Sequence, residues 1–248
     1  MIFYGAIDAA AAAGGDVWVG VIFVLGFATA LIFALSLHEM SHALAAKING
    51  DLTAAMYGRL SLNPMRHFDP VGLVMMLLVG FGWARPVPVD PRNFKSYRKG
   101  MLDVALAGVI TNLIVAFVCS FVLALLGDWI FSYSASAAVY YLKYFLFYLL
   151  GYSVLLNINF ALFNILPLFP LDGFRVIEAF SKRDNGFLRF MRRYSGTILL
   201  ALILLGFVSD SFFGIDLSPV TLYITHVGGW ITSALKWLWG LLGLNLPL

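Results

Sequence analysis

Leu37-His38-Glu39-Met40-Ser41-His42-Ala43 closes an uncharged apolar run that begins at Val17. The run is long enough to cross a bilayer as a helix, and a helix carried through it brings His38 and His42, four positions apart, onto one face. Ionisable groups are costly inside an apolar span. Three of them so close together point to a functional site placed within the membrane.

Two imidazoles one turn apart can share a metal ion. A catalytic zinc takes three protein ligands and keeps a position for water, so the pair predicts a third ligand elsewhere in the chain. Glu39, beside the first imidazole, is placed to act as base on that water, as in the His-Glu-x-x-His helix of metalloproteases. The competing reading, two surface histidines matched by chance, conflicts with the apolar flank.

The composition agrees with a membrane setting. Of 248 residues, 61% are hydrophobic and 12% charged, and several apolar runs reach spanning length. No soluble domain of ordinary size has room, so any chemistry must be built from membrane segments and their short connections. The net charge of +3 arises from basic residues beside the apolar runs, which speaks of topology and not of a nucleic-acid partner. Cys119 is the only cysteine, which excludes an intrachain disulfide, and its apolar neighbours make it a packing residue. Met1 to Gly15 reads as a flexible or interfacial lead-in. With no basic residue before its apolar part, it is not expected to be a cleaved signal.

Working outward from the motif, the first spanning helix runs from about Val17 to about Lys47 and stops at Asn49-Gly50-Asp51. Lys47, Arg59 and Arg66 follow it, which puts the motif near the cytoplasmic face of a bacterial-type cell membrane. Arg59-Leu60-Ser61-Leu62 alternates like a strand before the turn signal Asn63-Pro64, so Leu52 to Phe68 is expected to form a small hairpin. Val71 to Trp83 is too short to cross and has basic residues on both sides, as a re-entrant segment would. Arg85-Pro86-Val87-Pro88-Val89 reads either as an edge strand able to receive an extended substrate or as a rigid connection. Val104 to Leu126 spans, with Asn112 facing the bundle as interhelical glue or as a site donor. Tyr144 to Leu171 returns to the inner side, carrying Asn157, Asn159 and Asn164, and breaks at Pro167 and Pro170. Ser195 to Val208 and Leu217 to Leu248 supply further membrane segments, with His226 read as structural. The expected fold is an all-α polytopic membrane protein: a bundle of about five to six membrane segments with a re-entrant segment and small membrane-associated β elements. It forms one domain over 1–248, with the catalytic core at about 17–181 and C-terminal membrane helices at about 195–248.

The third ligand follows from topology. The first helix and the run ending at Leu171 both travel inward, so Asp172 lies at the depth of the histidines and can complete the site. Alternatively, Asp172 caps the helix that begins at Gly173.

Taken together, His38-Glu39-Met40-Ser41-His42, Asn63-Pro64 through His67-Phe68-Asp69-Pro70, Gly82-Trp83 with Pro86-Val87-Pro88-Val89, and Asn164 to Gly173 resemble the site-2 proteases, the intramembrane zinc metalloproteases. The resemblance covers roughly the first three quarters of the chain, and is to the compact branch without appended PDZ or CBS domains. It implies one zinc per chain held by His38, His42 and Asp172, Glu39 as the catalytic residue, and a transmembrane protein or peptide as substrate. It further implies that Asn112 and Asn164 position substrate or stabilise the oxyanion, and that His67 supports the metal site from behind. Where the family often has Gly-Pro ahead of the middle asparagine, this chain has Gly108-Val109. The rival class is a non-proteolytic membrane protein, either a metal transporter or an inactive relative that binds helices. The intact Glu39 and the gathering of polar residues near one membrane face argue against both.

Overall fold

The computed structural model describes residues 2–79, 84–181 and 185–248. Helix α2 (Val17–Ile48) starts where Asp16 accepts the Trp18 amide at 3.0 Å, and Lys47 lies in its last turn, where a positive charge suits the carbonyl end. Its 32 residues reach about 48 Å, well beyond a hydrocarbon layer of about 30 Å. Among the described residues, four helices are long and apolar enough to cross a membrane: α2, α5 (Tyr97–Phe131), α6 (Ala137–Asn164) and α8 (Gly186–Phe213).

Helices α2, α5 and α6 pack mutually and form the centre of the bundle. Their buried faces carry small residues, among them Ala30 and Ala34 of α2 and Ala105 and Ala116 of α5. In a membrane this is what lets backbones approach closely enough for van der Waals packing to hold helices together. Gly26 shows how close: a Cβ there would lie 2.8 Å from Tyr148 Cβ and 3.1 Å from the Leu149 nitrogen. Large apolar side chains such as Phe33, Ile114 and Leu125 point outward instead. Helices apolar on every side are what a lipid surround requires.

Several expectations are corrected. Of the two readings of the lead-in, flexible or interfacial, the flexible one is overturned: residues 2–12 form helix α1 (Ile2–Ala12), with Ile2 and Ala9 packed on Val19 and Phe23 of α2. An Ala-rich segment has high helix propensity and here gains a partner. No strand forms among the described residues. Thr53–Met56 is a single helical turn (α3), Pro64–Arg66 a 3₁₀ turn capped by Asn63, and the sole β feature is one antiparallel bridge between Phe68 and Ala84. The four-residue alternation at Arg59 to Leu62 was too short to specify a ladder. Helix α4 (Pro70–Val79) spans 10 residues, about 15 Å, short of a crossing. The rest of the expected re-entrant segment, with Gly82 and Trp83, lies outside the described residues.

The run expected to continue to Leu171 leaves the helix at Asn164, three residues before Pro167. Helix α7 (Asp172–Phe180) then begins, and buries Phe174 against Leu188 and Met191 of α8. Ser218 caps α9 (Pro219–Gly240), whose Leu235 and Trp239 close a core with Leu123 of α5 and Val154 of α6.

Candidate metal centre

His38 and His42 lie on the buried side of α2, with their Nε2 atoms 3.0 Å apart. Asp172, the first residue of α7, brings Oδ2 to 3.2 Å from His38 Nε2 and 3.1 Å from His42 Nε2. The N-cap position of α7 belongs to Leu171, and no side chain caps that helix. The carboxylate is turned to the histidines instead.

Two glycines make this convergence sterically possible. At Gly108 of α5 a Cβ would stand 2.4 Å from His38 Cε1, so the imidazole occupies the space a side chain would fill. At Gly173 a Cβ would stand 2.1 Å from the Ile165 carbonyl oxygen and 2.5 Å from that of Leu166. Only glycine lets the first turn of α7 fold against the end of α6 with Asp172 aimed inward.

The outer nitrogens are both engaged. His42 Nδ1–H donates to the Val104 carbonyl at 2.7 Å, and His38 Nδ1–H donates to Asn112 Oδ1 at 2.5 Å. A backbone carbonyl can only accept, so the His42 proton sits on Nδ1 and its Nε2 presents a lone pair. The centre therefore gathers two imidazole lone pairs and a carboxylate oxygen, and Asp172 Oδ2 has no hydrogen-bond donor of its own. Three buried acceptors in mutual contact repel one another unless a cation lies between them. Ligands about 2.0–2.2 Å from a tetrahedral zinc stand roughly 3.3–3.5 Å apart, and the observed spacing is close to that. The donor set fits the metal. Among the described residues, no other group of His, Cys, Asp and Glu is gathered in this way.

Glu39 follows His38 in α2 and is half-buried, so it faces a less enclosed environment than either ligand. Asn112 is fully buried, with Nδ2 donating to Asn157 Oδ1 at 2.6 Å. Asn164 donates to the Phe160 carbonyl of its own helix at 3.0 Å. His67 is fully buried and donates from Nε2 to the Ser61 carbonyl at 2.7 Å, and it does not join the three-residue cluster. His226 is exposed and donates to Leu222 of its own helix. Asn157, noticed in the sequence only as a polar residue in an apolar run, and Gly108, noticed only for its neighbour, both enter the centre through contacts that depend on helix rotation.

The segment from Ala84 to Asn93 runs beside the centre. Val87 packs on Ala43, the residue after His42, and on Ala54. Asp51, fully buried, holds this segment by accepting from the Asp90 amide at 2.8 Å and Asn93 Nδ2 at 2.9 Å, besides Thr53 N and Oγ1 at 3.0 and 2.5 Å. Between the segment and helices α5 and α7 lies a cavity of about 230 Å³, lined by Val87, Val89, Met101, Val104, Arg175 and Glu178.

The comparisons with known proteins agree with this geometry. Residues 26–206 match peptidase family M50, and the chain belongs to that family, the family of the site-2 proteases. It is 43% identical over 148 residues to YwhC of Bacillus subtilis, a protein named as a zinc metalloprotease. That match covers 60% of this chain and 65% of YwhC, so the chain spans just under two thirds of that relative. Rip2 of Mycolicibacterium smegmatis, also named as a zinc metalloprotease, is 26% identical over 252 residues, covering 93% of this chain and 92% of that protein. Rip2 of Mycobacterium tuberculosis is 28% identical over 248 residues, covering 92% and 90%. No solved structure matches the chain.

Proposed function

We propose that this chain is a zinc-dependent intramembrane endopeptidase that hydrolyses peptide bonds in or near transmembrane segments of membrane-anchored substrates. The observation that carries the reading is the meeting of His38 Nε2, His42 Nε2 and Asp172 Oδ2 within 3.2 Å of one another, with both histidines on a helix, α2, that is long and apolar enough to cross a bilayer. Family membership and the names of the relatives support the same reaction.

Held by these three side chains, zinc supplies Lewis acidity to water and to the scissile carbonyl. Glu39 accepts a proton from the attacking water on its carboxylate and delivers it to the leaving amine nitrogen. Its half-buried position leaves it open to water while the two imidazoles stay enclosed. The Asn112 side chain holds His38 in place, and Asn164, at the α6 terminus, is the further amide proposed to contact the substrate backbone.

A substrate helix hides its carbonyls in its own hydrogen bonds and must unwind before it can be cut. The extended residues 85–89 offer backbone groups to an unwound strand, and the cavity beside them accepts its side chains. Lys47, Arg59, Arg66, Arg85, Arg92, Lys95, Arg98 and Lys99 all follow the histidine pair between two spanning helices, and the excess of basic residues supports a cytoplasmic position for that side of the membrane. Helix α4 is then the entering limb of a re-entrant segment, too short to cross.

The test uses purified protein and a model membrane substrate in liposomes. Glu39→Gln is expected to keep its zinc and lose cleavage. Cleavage at the wild-type rate would remove Glu39 as the base, and zinc uptake into liposomes without any cleavage would favour a transporter.

A further inference from the structure

We infer that Asn157, on a helix that provides no metal ligand, is a positioning residue that fixes which nitrogen of His38 faces the metal; the inference rests on the zinc reading above. A histidine ligand must present a lone pair, and in a neutral imidazole one nitrogen always carries the proton. His42 has its proton fixed by a backbone carbonyl. His38 does not: its Nδ1 meets the amide of Asn112, whose two ends are a pure acceptor and a pure donor and can exchange places by rotation of the amide. With the oxygen toward His38, Nδ1 is protonated and Nε2 is free for the metal. With the nitrogen toward His38, the proton moves to Nε2, where it blocks coordination.

The choice is settled two hydrogen bonds away. Asn157 Nδ2 donates to the Ser153 carbonyl at 2.7 Å, one turn back along α6. The Ser153 carbonyl can only accept, so the amino end of Asn157 must point there and its Oδ1 must point to Asn112. Asn112 can satisfy that oxygen only with Nδ2, which it does at 2.6 Å, and its own Oδ1 is thereby turned to His38. The polarity runs from a fixed backbone acceptor on α6, through α5, to a ligand on α2. Asn157 and Asn112 are both buried, at 1% and 0% exposure, so water is not at hand to substitute for a lost partner.

The experiment measures zinc affinity of the purified full chain in detergent by chelator competition. Asn157→Leu removes the relay from the Ser153 carbonyl while keeping the side chain's branching and heavy-atom count, and is expected to weaken zinc binding about ten- to a hundredfold, as loss of a partner behind a ligand does in metal sites. The decisive variant adds Asn112→Asp, whose carboxylate accepts from His38 Nδ1–H through either oxygen and makes Asn157 dispensable. The double variant is expected to regain most of the lost affinity. A merely structural role for Asn157 would leave the double variant as weak as the single one, and that result overturns the inference. Should Asn157→Leu fail to fold, the histidine nitrogen resonances of metal-free wild-type protein decide at alkaline pH: a proton on His38 Nδ1 supports the inference, and one on Nε2 overturns it. Wild-type protein that takes up no zinc at all, with the proton on Nδ1, would defeat the zinc reading and leave the hydrogen-bond polarity standing.

Discussion

Gly173→Ala removes no ligand and no hydrogen bond, yet it is expected to disable the metal centre. The added Cβ would lie 2.1 Å from the Ile165 carbonyl oxygen and 2.5 Å from the Ile165 carbonyl carbon, where ordinary contact begins near 3.4 Å. Both obstacles are backbone at the end of α6, so neither can swing aside. The first turn of α7 must retreat by about 1 Å, and Asp172 opens this turn. Its Oδ2, now 3.1–3.2 Å from the two Nε2 atoms, would move to about 4 Å, outside the reach of a shared ion. A misplacement of about 1 Å in a catalytic constellation costs roughly a hundredfold in rate, and overpacking of this kind costs about 1–3 kcal/mol in stability. The assay is paired: zinc per chain by elemental analysis, and cleavage of a membrane substrate. Gly196→Ala serves as the control, since nothing lies within 4 Å of a Cβ there and alanine favours the helix. Gly173→Ala with full zinc and full activity would refute the steric reasoning that places Asp172.

Gly108→Ala should displace the His38 ring and weaken zinc binding while α5 remains helical, read by chelator competition beside circular dichroism. Asp172→Ala should lower zinc content and leave thermal stability insensitive to chelator, whereas wild-type protein should lose several degrees on chelation and regain them with added zinc. Burial pushes the Asp51 carboxyl upward, but hydrogen bonds from Thr53, Asn93 and the Asp90 amide outweigh it and hold the group below its ordinary 3.8. A carboxyl whose folded value is depressed stabilises above its unfolded value and loses that contribution as pH falls through the folded one. Asp51→Ala should therefore lower the melting temperature at neutral pH, speed proteolysis within residues 84–95, and narrow its deficit below pH of about 4.

The histidine pair and the long apolar helix that carries it were legible in the sequence because both signals are local: a four-residue spacing and an uncharged run. Asp172 was legible because two prolines must end a helix wherever it packs. The burial of Asn112 was also within reach, since an amide in an apolar helix has nowhere else to go. Its engagement with His38, and the link onward to Asn157, depend on the rotation of three helices about their axes, which no single segment encodes. The same holds for Gly108 and Gly173, whose missing side chains matter only because another chain segment occupies the space. The expected hairpin shows the opposite failure, where a four-residue alternation was given more weight than the helical turn and 3₁₀ turn it lies between. The first helix was missed because a short segment ending in Gly14-Gly15 reads as a lead-in, although its alanines favour a helix, and its partner on α2 shows only in three dimensions.

One divalent cation held by two imidazoles and a carboxylate is the centre of the proposed enzyme, and X-ray absorption at the zinc edge of the purified protein measures this directly. One zinc per chain, with two imidazole nitrogens and at least one carboxylate oxygen in its coordination shell, and with the carboxylate contribution missing in Asp172→Ala, is the predicted result. A zinc shell without imidazole, or a shell unchanged in Asp172→Ala, would contradict it.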